Sequence, residues 1–156
     1  SDSRVPPEAV FDQGPGNLFV IRVAGNIAAP SQVGSVEFAA ERFGTRLVVV
    51  LGHTRCGAVQ STFEALQKPT KSQSSNLQEI VNRVRPSVES WVKTELKGDM
   101  EDVVAHAVRD NIRSTVDQLR HKSQVLSQLV VKNDLLVVGA EYCLDTGVVA
   151  FLDIDG

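Results

Sequence analysis

The sequence has few cysteines and no long apolar run, so it lacks the marks of disulfide-stabilised and of membrane-spanning proteins. Its 156 residues include only two cysteines, one methionine and one tryptophan. Two cysteines are a weak disulfide framework, so we expect a reduced, cytoplasmic setting, with an organelle or the periplasm as the alternatives. The longest apolar runs, residues 47–51 and 135–140, are far shorter than the ~18–20 residues that a membrane-spanning helix needs. We therefore expect no membrane partner.

The sequence also lacks an excess of charge of one sign. Sixteen basic and 19 acidic residues are intermixed, for a formal net charge of -3. No basic stripe is available for a phosphate backbone, so nucleic acid is not an expected partner. With 42% hydrophobic residues the chain can bury one core, and we expect a single domain over residues 1–156.

Short runs of branched apolar residues alternate with stretches of helical periodicity. The runs at 17–24, 46–51 and 135–142 are typical of strands that are buried on both faces. Helices are predicted at residues 30–43, 57–66, 76–96, 100–120 and 124–131, with a polar loop at 67–75. The third helix should be interrupted at Pro86, because proline cannot continue the hydrogen-bond ladder, and should end at Gly98. The clearest helix, 100–120, has one apolar face, formed by Val104, Val108, Ile112, Val116 and Leu119.

The order of these elements indicates the fold class. A strand, a helix and a second strand in succession favour a parallel sheet. The turn at 145–147 and the apolar run at 148–152 predict a closing hairpin. We therefore predict a three-layer α/β/α fold whose central sheet is mostly parallel, with one antiparallel strand at the C-terminal end. Such sheets bind ligands at the carboxyl ends of their parallel strands.

His53 and Cys56 follow directly on the predicted strand at 46–51 and are flanked by Gly52 and Gly57. A His-x-x-Cys loop lets an imidazole nitrogen and a thiolate converge on one point, and both groups are good zinc ligands. Two ligands alone do not hold zinc, so a loop histidine and a partly buried cysteine without metal are the alternative interpretation.

Asp2 and Arg4 form a second candidate cluster at the start of the chain. A carboxylate two residues from a guanidinium can form a charge-assisted pair, and such a pair often orients a metal-bound water. The alternative is that both side chains are simply solvated.

Several segments, taken in their order along the chain, resemble the β-class carbonic anhydrases. They are Asp2-Ser3-Arg4-Val5, the stretch from Gly16 to Asn26, Gly52-His53 to Cys56-Gly57, and Gly139-Ala140 with Tyr142, Thr146 and Gly147. In that family the first motif reads Cys-x-Asp-Ser-Arg, and its Cys ligates a catalytic zinc together with the His and Cys of His-x-x-Cys. The resemblance thus implies His53 and Cys56 as zinc ligands, a first ligand expected one residue before Ser1, and a domain incomplete at its N-terminal side.

The resemblance also implies an activity, the reversible hydration of carbon dioxide to bicarbonate by zinc-bound hydroxide. Asp2 and Arg4 would be catalytic, with Asp2 orienting the hydroxide or, conditionally, replacing the water on zinc when its arginine partner is lost. With one thiolate fewer than the family's site, we expect weak zinc retention and a chain that is inactive by itself. A homodimer or homotetramer is expected.

Arg22 and Tyr142 match two members of a noncatalytic bicarbonate pocket of that family. For Arg22 the alternative is a salt bridge to a helix carboxylate such as Glu37, because a charge in a buried strand needs a partner. Three other functions stay open: a noncatalytic relative that binds bicarbonate or a partner protein, a related zinc hydrolase acting on carbon disulfide or carbonyl sulfide, and a thiol enzyme with Cys56 as nucleophile and His53 as base.

Overall fold

The computed structural model describes residues 1–68, 74–92 and 100–152. The helices are α1 Pro7–Val10, α2 Pro30–Phe43, α3 Gly57–Gln67, α4 Ser75–Val92, α5 Met100–His121 and α6 Gln124–Val131, with a 3₁₀ turn at Ala24–Asn26; the strands are β1 Leu47–His53, β2 Leu136–Tyr142 and β3 Val149–Leu152. Most of the predicted loop at 67–75 and the predicted helix end at Gly98 lie outside the described residues. In the part that is described, no helix is both long and apolar enough to cross a bilayer.

The described strands form one sheet in the order β1-β2-β3. β1 and β2 are parallel, and their register places Leu47 beside Leu136 and His53 beside Tyr142. β2 and β3 are antiparallel, as the hairpin prediction requires. The structure confirms the three-layer α/β class with a mixed sheet, and it places the carboxyl end of β1 next to that of β2.

Helix α5 packs closely against the sheet because two strand residues have no side chain. A Cβ atom on Gly52 would lie 2.6 Å from Cδ1 of Ile112, and one on Gly139 would lie 2.7 Å from Cγ2 of the same residue. Ile112 is fully buried between them. The predicted apolar face of this helix is confirmed, since all five of its residues are buried. Burial of this face is the main stabilisation of α5, because apolar area removed from water contributes about 25 cal/mol per Å².

The predicted strand at 17–24 is wrong. The segment is not in a strand and ends in the 3₁₀ turn, where Gly25 has φ 71° and Asn26 has φ 43°. Its residues face β1 across a large cavity and pair with no strand of the described sheet. Branched apolar residues form a strand only where another strand edge accepts their backbone hydrogen bonds, and composition alone does not reveal whether that edge is present.

The predicted interruption of the third helix is also wrong, since α4 continues through Pro86. Pro86 and Asn82 lie on the exposed side of the helix, so the Asn82 carbonyl that lacks a donor can bind water instead. Val84 and Val88, on the other side, are fully buried. Packing of that side therefore stabilises the helix by more than the single missing hydrogen bond destabilises it.

Candidate functional site

The predicted zinc ligands lie at the junction between β1 and α3. His53 is the last residue of β1, and Cys56 directly precedes the first residue of α3. Both residues are buried. The short loop between them reverses the chain at Arg55, whose φ of 53° is in the left-handed region. This sharp turn places an imidazole and a thiol on the same side of the carboxyl end of the sheet.

The His53 ring is fixed by its neighbours. Its Nδ1 lies 2.9 Å from the Thr54 carbonyl oxygen, which can only accept a hydrogen bond, so Nδ1 carries a proton and donates it. Its Nε2 lies 3.7 Å from Oδ2 of Asp2. Hydrogen bonding with the Cys56 side chain raises the pKa of His53 above its ordinary value, although burial acts in the opposite direction. Nε2 is therefore the nitrogen available to Cys56, Asp2 or a metal ion.

The surroundings of Cys56 shift the pKa of its thiol downward. Burial opposes ionisation, but the hydrogen bond with His53 and the backbone amides of Val59 and Ala58 together lower the pKa of the thiol below its ordinary value. These amides belong to the first turn of α3, where the helix dipole favours negative charge. Since hydrogen bonding with Cys56 also raises the pKa of His53, each of the two side chains favours the charged form of the other.

Asp2 and Arg4 form the charge-assisted pair that their spacing predicts. Arg4 donates from Nε to Oδ1 at 2.9 Å and from Nη2 to Oδ2 at 2.7 Å, and its backbone N–H donates to Oδ1 at 3.0 Å. These hydrogen bonds hold the pKa of Asp2 well below its usual range. Both carboxylate oxygens are engaged by Arg4, so in this arrangement Asp2 acts as a fixed hydrogen-bond acceptor beside His53.

The three candidate residues Asp2, His53 and Cys56 line one small cavity of about 150 Å³. Asp2 and His53 also line a larger neighbouring cavity of about 540 Å³, which extends between β1 and the 17–23 segment. The larger cavity is bounded mainly by apolar side chains such as Val23 and Ile27. The structure thus brings together the two separate sequence clusters, at the end of the sheet where a ligand is expected.

Two residues of α5, which the sequence did not single out, fix the turn that forms one wall of the small cavity. Asn111 donates from Nδ2 to the Gly25 carbonyl at 2.7 Å, and Thr115 donates to the Asn26 carbonyl at 3.0 Å. Both side chains are buried. The sequence could have indicated this role, because Asn111 and Thr115 are polar residues at positions beside the apolar face of α5. The Asn26 Nδ2 group is buried without a hydrogen-bond partner among the described residues.

The loop that carries the candidate ligands is also attached to the β2–β3 hairpin. The Thr54 N–H donates to the Tyr142 carbonyl at 3.0 Å, and the Leu144 N–H donates to the Thr54 hydroxyl at 3.0 Å. Arg55 forms two hydrogen bonds with the Asp145 carboxylate, at 2.7 and 2.8 Å. The sequence indicated only a turn at 145–147, and nothing in it linked Asp145 to Arg55.

The structure places Arg22 and Tyr142 in different surroundings. Arg22 is exposed, lines the larger cavity, and donates from Nη2 to the Asp2 carbonyl at 2.6 Å. The alternative salt bridge to Glu37 is wrong, because the Glu37 carboxylate accepts instead from the Ser123 hydroxyl at 2.6 Å. Tyr142 is half-buried on β2 and lines neither of the two cavities. Their assignment to one bicarbonate pocket stays a prediction.

Cys56 and Cys143 are both free thiols.

The donor types present fit zinc, since an imidazole nitrogen and a thiolate are ligands that zinc prefers. The hydrogen bond from Nδ1 of His53 to a backbone carbonyl is the usual device that aims the other nitrogen at a metal. The number of ligands is smaller than a closed site needs: within residues 1–68, 74–92 and 100–152, no three His, Cys, Asp or Glu side chains are grouped as a metal site. The described residues therefore offer two ligands, His53 and Cys56, with Asp2 beside them.

Comparisons with known proteins identify relatives of this chain. A profile of the carbonic anhydrase family matches residues 1–149. Carbonic anhydrase 2 of Mycobacterium tuberculosis is 35% identical over 149 residues, which span 94% of this chain and 68% of that protein. The carbonic anhydrase of Mycolicibacterium smegmatis is 37% identical over 146 residues, with the same two shares.

Solved structures show the same fold. One of two tetrameric β-carbonic anhydrases of Sordaria macrospora superposes with a TM-score of 0.85 at 19% sequence identity, covering 97% of this chain and 76% of that one. At this identity the similarity shows the fold, while the family profile and the mycobacterial relatives carry the assignment. The chain therefore belongs to the β-class carbonic anhydrase family.

Proposed function

We propose that this protein catalyses the reversible hydration of carbon dioxide to bicarbonate, using zinc for which His53 and Cys56 supply two of the ligands. The observation that carries the proposal is the convergence of these two side chains, and of Asp2 held by Arg4, on one cavity at the carboxyl end of β1. Membership of the carbonic anhydrase family supports the reaction.

Zinc bound at this point would supply a nucleophile at neutral pH, because it lowers the pKa of a coordinated water to roughly 7. The residues of the chain supply the rest. Nδ1–H of His53 donates a hydrogen bond to the Thr54 carbonyl. This bond favours the tautomer in which Nε2 carries no proton and can serve as a ligand. The hydrogen bonds that lower the pKa of Cys56 favour the thiolate form, which is the form that binds metal.

Asp2 would orient the attacking water. Its Oδ2 lies closest to the His53 ring, and the bonds from Arg4 keep the carboxylate ionised, so it can only accept a hydrogen bond. A water whose O–H donates to Asp2 has its oxygen lone pair directed away from Asp2. That lone pair would face carbon dioxide in the cavity. Since both oxygens already accept from Arg4, we favour this role over Asp2 as a metal ligand.

The chemistry of the two cavities suits the substrate and product. Carbon dioxide is small and apolar, and the larger cavity leads past apolar side chains to Asp2 and His53. Bicarbonate is an anion, and Arg4 and Arg22 both lie beside Asp2. A second bicarbonate site at Arg22 and Tyr142 remains part of the proposal, tested by whether Arg22→Ala relieves inhibition of the hydratase by bicarbonate. If bicarbonate inhibits the Arg22→Ala variant as strongly as the wild type, the second bicarbonate site is ruled out.

We further propose that the protein is a homodimer or homotetramer. The side chains of Phe19, Phe38 and Phe43 are about half exposed or more, and their rings form a contiguous cluster with centroids 5.6–6.5 Å apart. An exposed apolar cluster of this kind is typical of a contact between proteins. The similarity to tetrameric β-carbonic anhydrases is consistent with this. Sedimentation analysis of Phe43→Glu should show a smaller assembly than the wild type.

The decisive experiment compares serine substitutions at the two cysteines. Zinc is added in excess, because the described residues offer only two ligands, and carbon dioxide hydration is followed by stopped flow with a pH indicator. Cys56→Ser should abolish zinc-dependent hydration. Cys143→Ser, which changes a half-buried thiol on the hairpin, should leave it intact. These measurements are made on the full-length protein, in which absence of zinc-dependent hydration would overturn the proposal.

The same variants separate the alternatives. Bicarbonate binding without hydration indicates a noncatalytic relative. Zinc-dependent turnover of carbon disulfide or carbonyl sulfide in preference to carbon dioxide indicates the related hydrolase. Activity that persists without metal and is lost when Cys56 is alkylated indicates a thiol enzyme, for which the lowered pKa of Cys56 is the supporting observation. The prediction of a cytoplasmic protein rests only on the small number of cysteines.

A further inference from the structure

Arg55 holds a backbone conformation that arginine seldom adopts. Its φ of 53° lies in the left-handed region, where the Cβ atom of an L-residue meets the backbone and glycine is the usual occupant. The residue sits between His53 and Cys56, so this single dihedral angle sets how the two candidate ligands face one another. A strained residue at such a point persists only where the surrounding structure holds it.

The contacts that hold Arg55 come from a segment 90 positions later in the chain. Both terminal nitrogens of its guanidinium donate to the Asp145 carboxylate, Nη1 to Oδ2 at 2.7 Å and Nη2 to Oδ1 at 2.8 Å. Adjacent backbone is attached as well, because Thr54 donates to Tyr142 and accepts from Leu144. A bidentate pair of this kind fixes orientation as well as distance.

We propose that Arg55 and Asp145 are positioning residues of the candidate site. Their ion pair keeps the loop in its left-handed turn and thereby keeps His53 and Cys56 directed into the same cavity. The inference rests on the proposed function, because it assigns the pair a role toward the metal ion that these two residues would bind. Neither Arg55 nor Asp145 lines that cavity, so the pair acts through the loop and touches no ligand.

The competing view is that this is an ordinary surface ion pair. The side chains are 46% and 62% exposed, and exposed pairs usually contribute little to stability. Global stability therefore does not distinguish the two views. The readouts that do are the geometry of the metal site and the local opening of the loop, neither of which an incidental surface pair would change.

The test is a double-mutant cycle with Arg55→Gln, Asp145→Asn and the combination of both. Zinc affinity is measured by competition with a chromophoric chelator, and the thiolate charge-transfer band is recorded after cobalt substitution. Each single variant should weaken zinc binding about 3- to 10-fold. Groups that bond a metal ligand directly have a larger effect, about 10- to 100-fold, and this pair acts on the ligands only through the loop. The double variant should be no weaker than either single variant, because each already removes the same pair.

Two further variants test the mechanism. Arg55→Gly also removes the pair but adopts the left-handed conformation without strain, so it should impair zinc binding less than Arg55→Gln does. Glu79→Gln removes another exposed ion pair, that with Arg83 on α4, and should leave affinity and the cobalt spectrum unchanged.

A third readout needs no metal. In the metal-free protein, Asp145→Asn should speed amide hydrogen exchange at residues 54–57 and leave exchange in α5 unchanged. Unaltered exchange together with unaltered zinc affinity in the single variants would overturn the inference, and so would strictly additive effects in the cycle. If the full-length wild type binds no zinc, the proposed function fails, and the exchange experiment alone then decides whether the pair holds the loop.

Discussion

Oδ2 of Asp2 accepts a hydrogen bond from Arg4 at 2.7 Å and lies 3.7 Å from Nε2 of His53. The same carboxylate oxygen thus faces a guanidinium that keeps it ionised and the imidazole that is a candidate metal ligand. Because Arg4 also binds Oδ1, the carboxylate plane cannot rotate without breaking a charge-assisted bond. Three hydrogen bonds from Arg4 therefore orient the Asp2 carboxylate, whose ionisation can be measured in the metal-free protein.

The titration of Asp2 should depend on Arg4. The pKa of this carboxyl is lowered in the folded protein, so its contribution to stability is present above the unfolded-state pKa of about 3.9 and is lost as the pH falls through the folded-state value. Arg4→Gln should raise the pKa of Asp2 toward its ordinary value, as followed by carboxyl carbon NMR. Arg46→Gln removes the separate Arg46–Asp134 pair and should leave this titration unchanged. An Asp2 titration unaffected by Arg4→Gln would contradict the assigned pairing.

Gly52 should not tolerate a side chain. In Gly52→Ala the new Cβ would meet Ile112 at 2.6 Å, and overpacking of this kind costs about 1–3 kcal/mol of the free energy of unfolding. Gly34→Ala is the matched control, because Gly34 lies inside α2 with no atom within 4 Å of the added Cβ. It should stabilise the protein by about 0.5–1 kcal/mol through helix propensity. Urea unfolding measures both, and equal effects of the two substitutions would refute the packing argument.

Removing Arg109 should leave a buried carboxylate without its partner. Glu141 is 6% exposed, and its Oε2 accepts from Nε of Arg109 at 2.9 Å. Arg109→Met should therefore destabilise the protein by about 1–3 kcal/mol, and adding Glu141→Leu should recover much of the loss. Arg83→Met, which breaks an exposed pair on α4, should change stability by less than about 0.5 kcal/mol. Failure of Glu141→Leu to rescue Arg109→Met would show that the pair is not the cause.

Replacing Pro86 should stabilise α4. Pro86→Ala restores an N–H group that can donate to the Asn82 carbonyl, and it removes a ring that clashes with that carbonyl, so we expect a gain of about 1–3 kcal/mol. Glu89→Ala, at another exposed position of the same helix, serves as the control and should have little effect. Thermal unfolding followed by circular dichroism gives the comparison. A lower midpoint for Pro86→Ala would mean that the proline ring contributes contacts that this argument omits.

Local pattern was sufficient for most of the fold. The apolar face of α5 follows from its periodicity and the antiparallel closing hairpin follows from the turn at 145–147, and both are confirmed. The sheet does contain a parallel pair, but β1 pairs with β2 and not with the segment 17–24 from which the parallel sheet was predicted. The errors have a common origin. Whether residues 17–24 become a strand depends on a neighbouring edge, and whether Pro86 breaks a helix depends on what its opposite face packs against. Neither neighbour can be identified from the local sequence.

The site was predictable to a similar extent. His53, Cys56, Asp2 and Arg4 could be singled out because each lies in a short motif with recognisable chemistry. The structure brings Asp2, His53 and Cys56 to one cavity, and their roles stay a prediction. Asp145 was assigned only to a turn, because its partner Arg55 is 90 positions away and a single ion pair leaves no periodic trace. The buried polar residues of α5 were overlooked for a related reason, since their role depends on the turn at Ala24–Asn26.

The fit of Ile112 between Gly52 and Gly139 couples side-chain volume on the sheet to the wall of the candidate cavity. Asn111 precedes Ile112 on α5 and reaches that wall through the Gly25 carbonyl, so any residue that lifts α5 from the sheet also withdraws the hydrogen bond that fixes the wall. Positions 52, 139 and 112 should therefore co-vary among related sequences, with a larger residue at either glycine matched by a smaller one at 112. Redesign of the cavity could use the same three positions to adjust its width without replacing a candidate metal ligand.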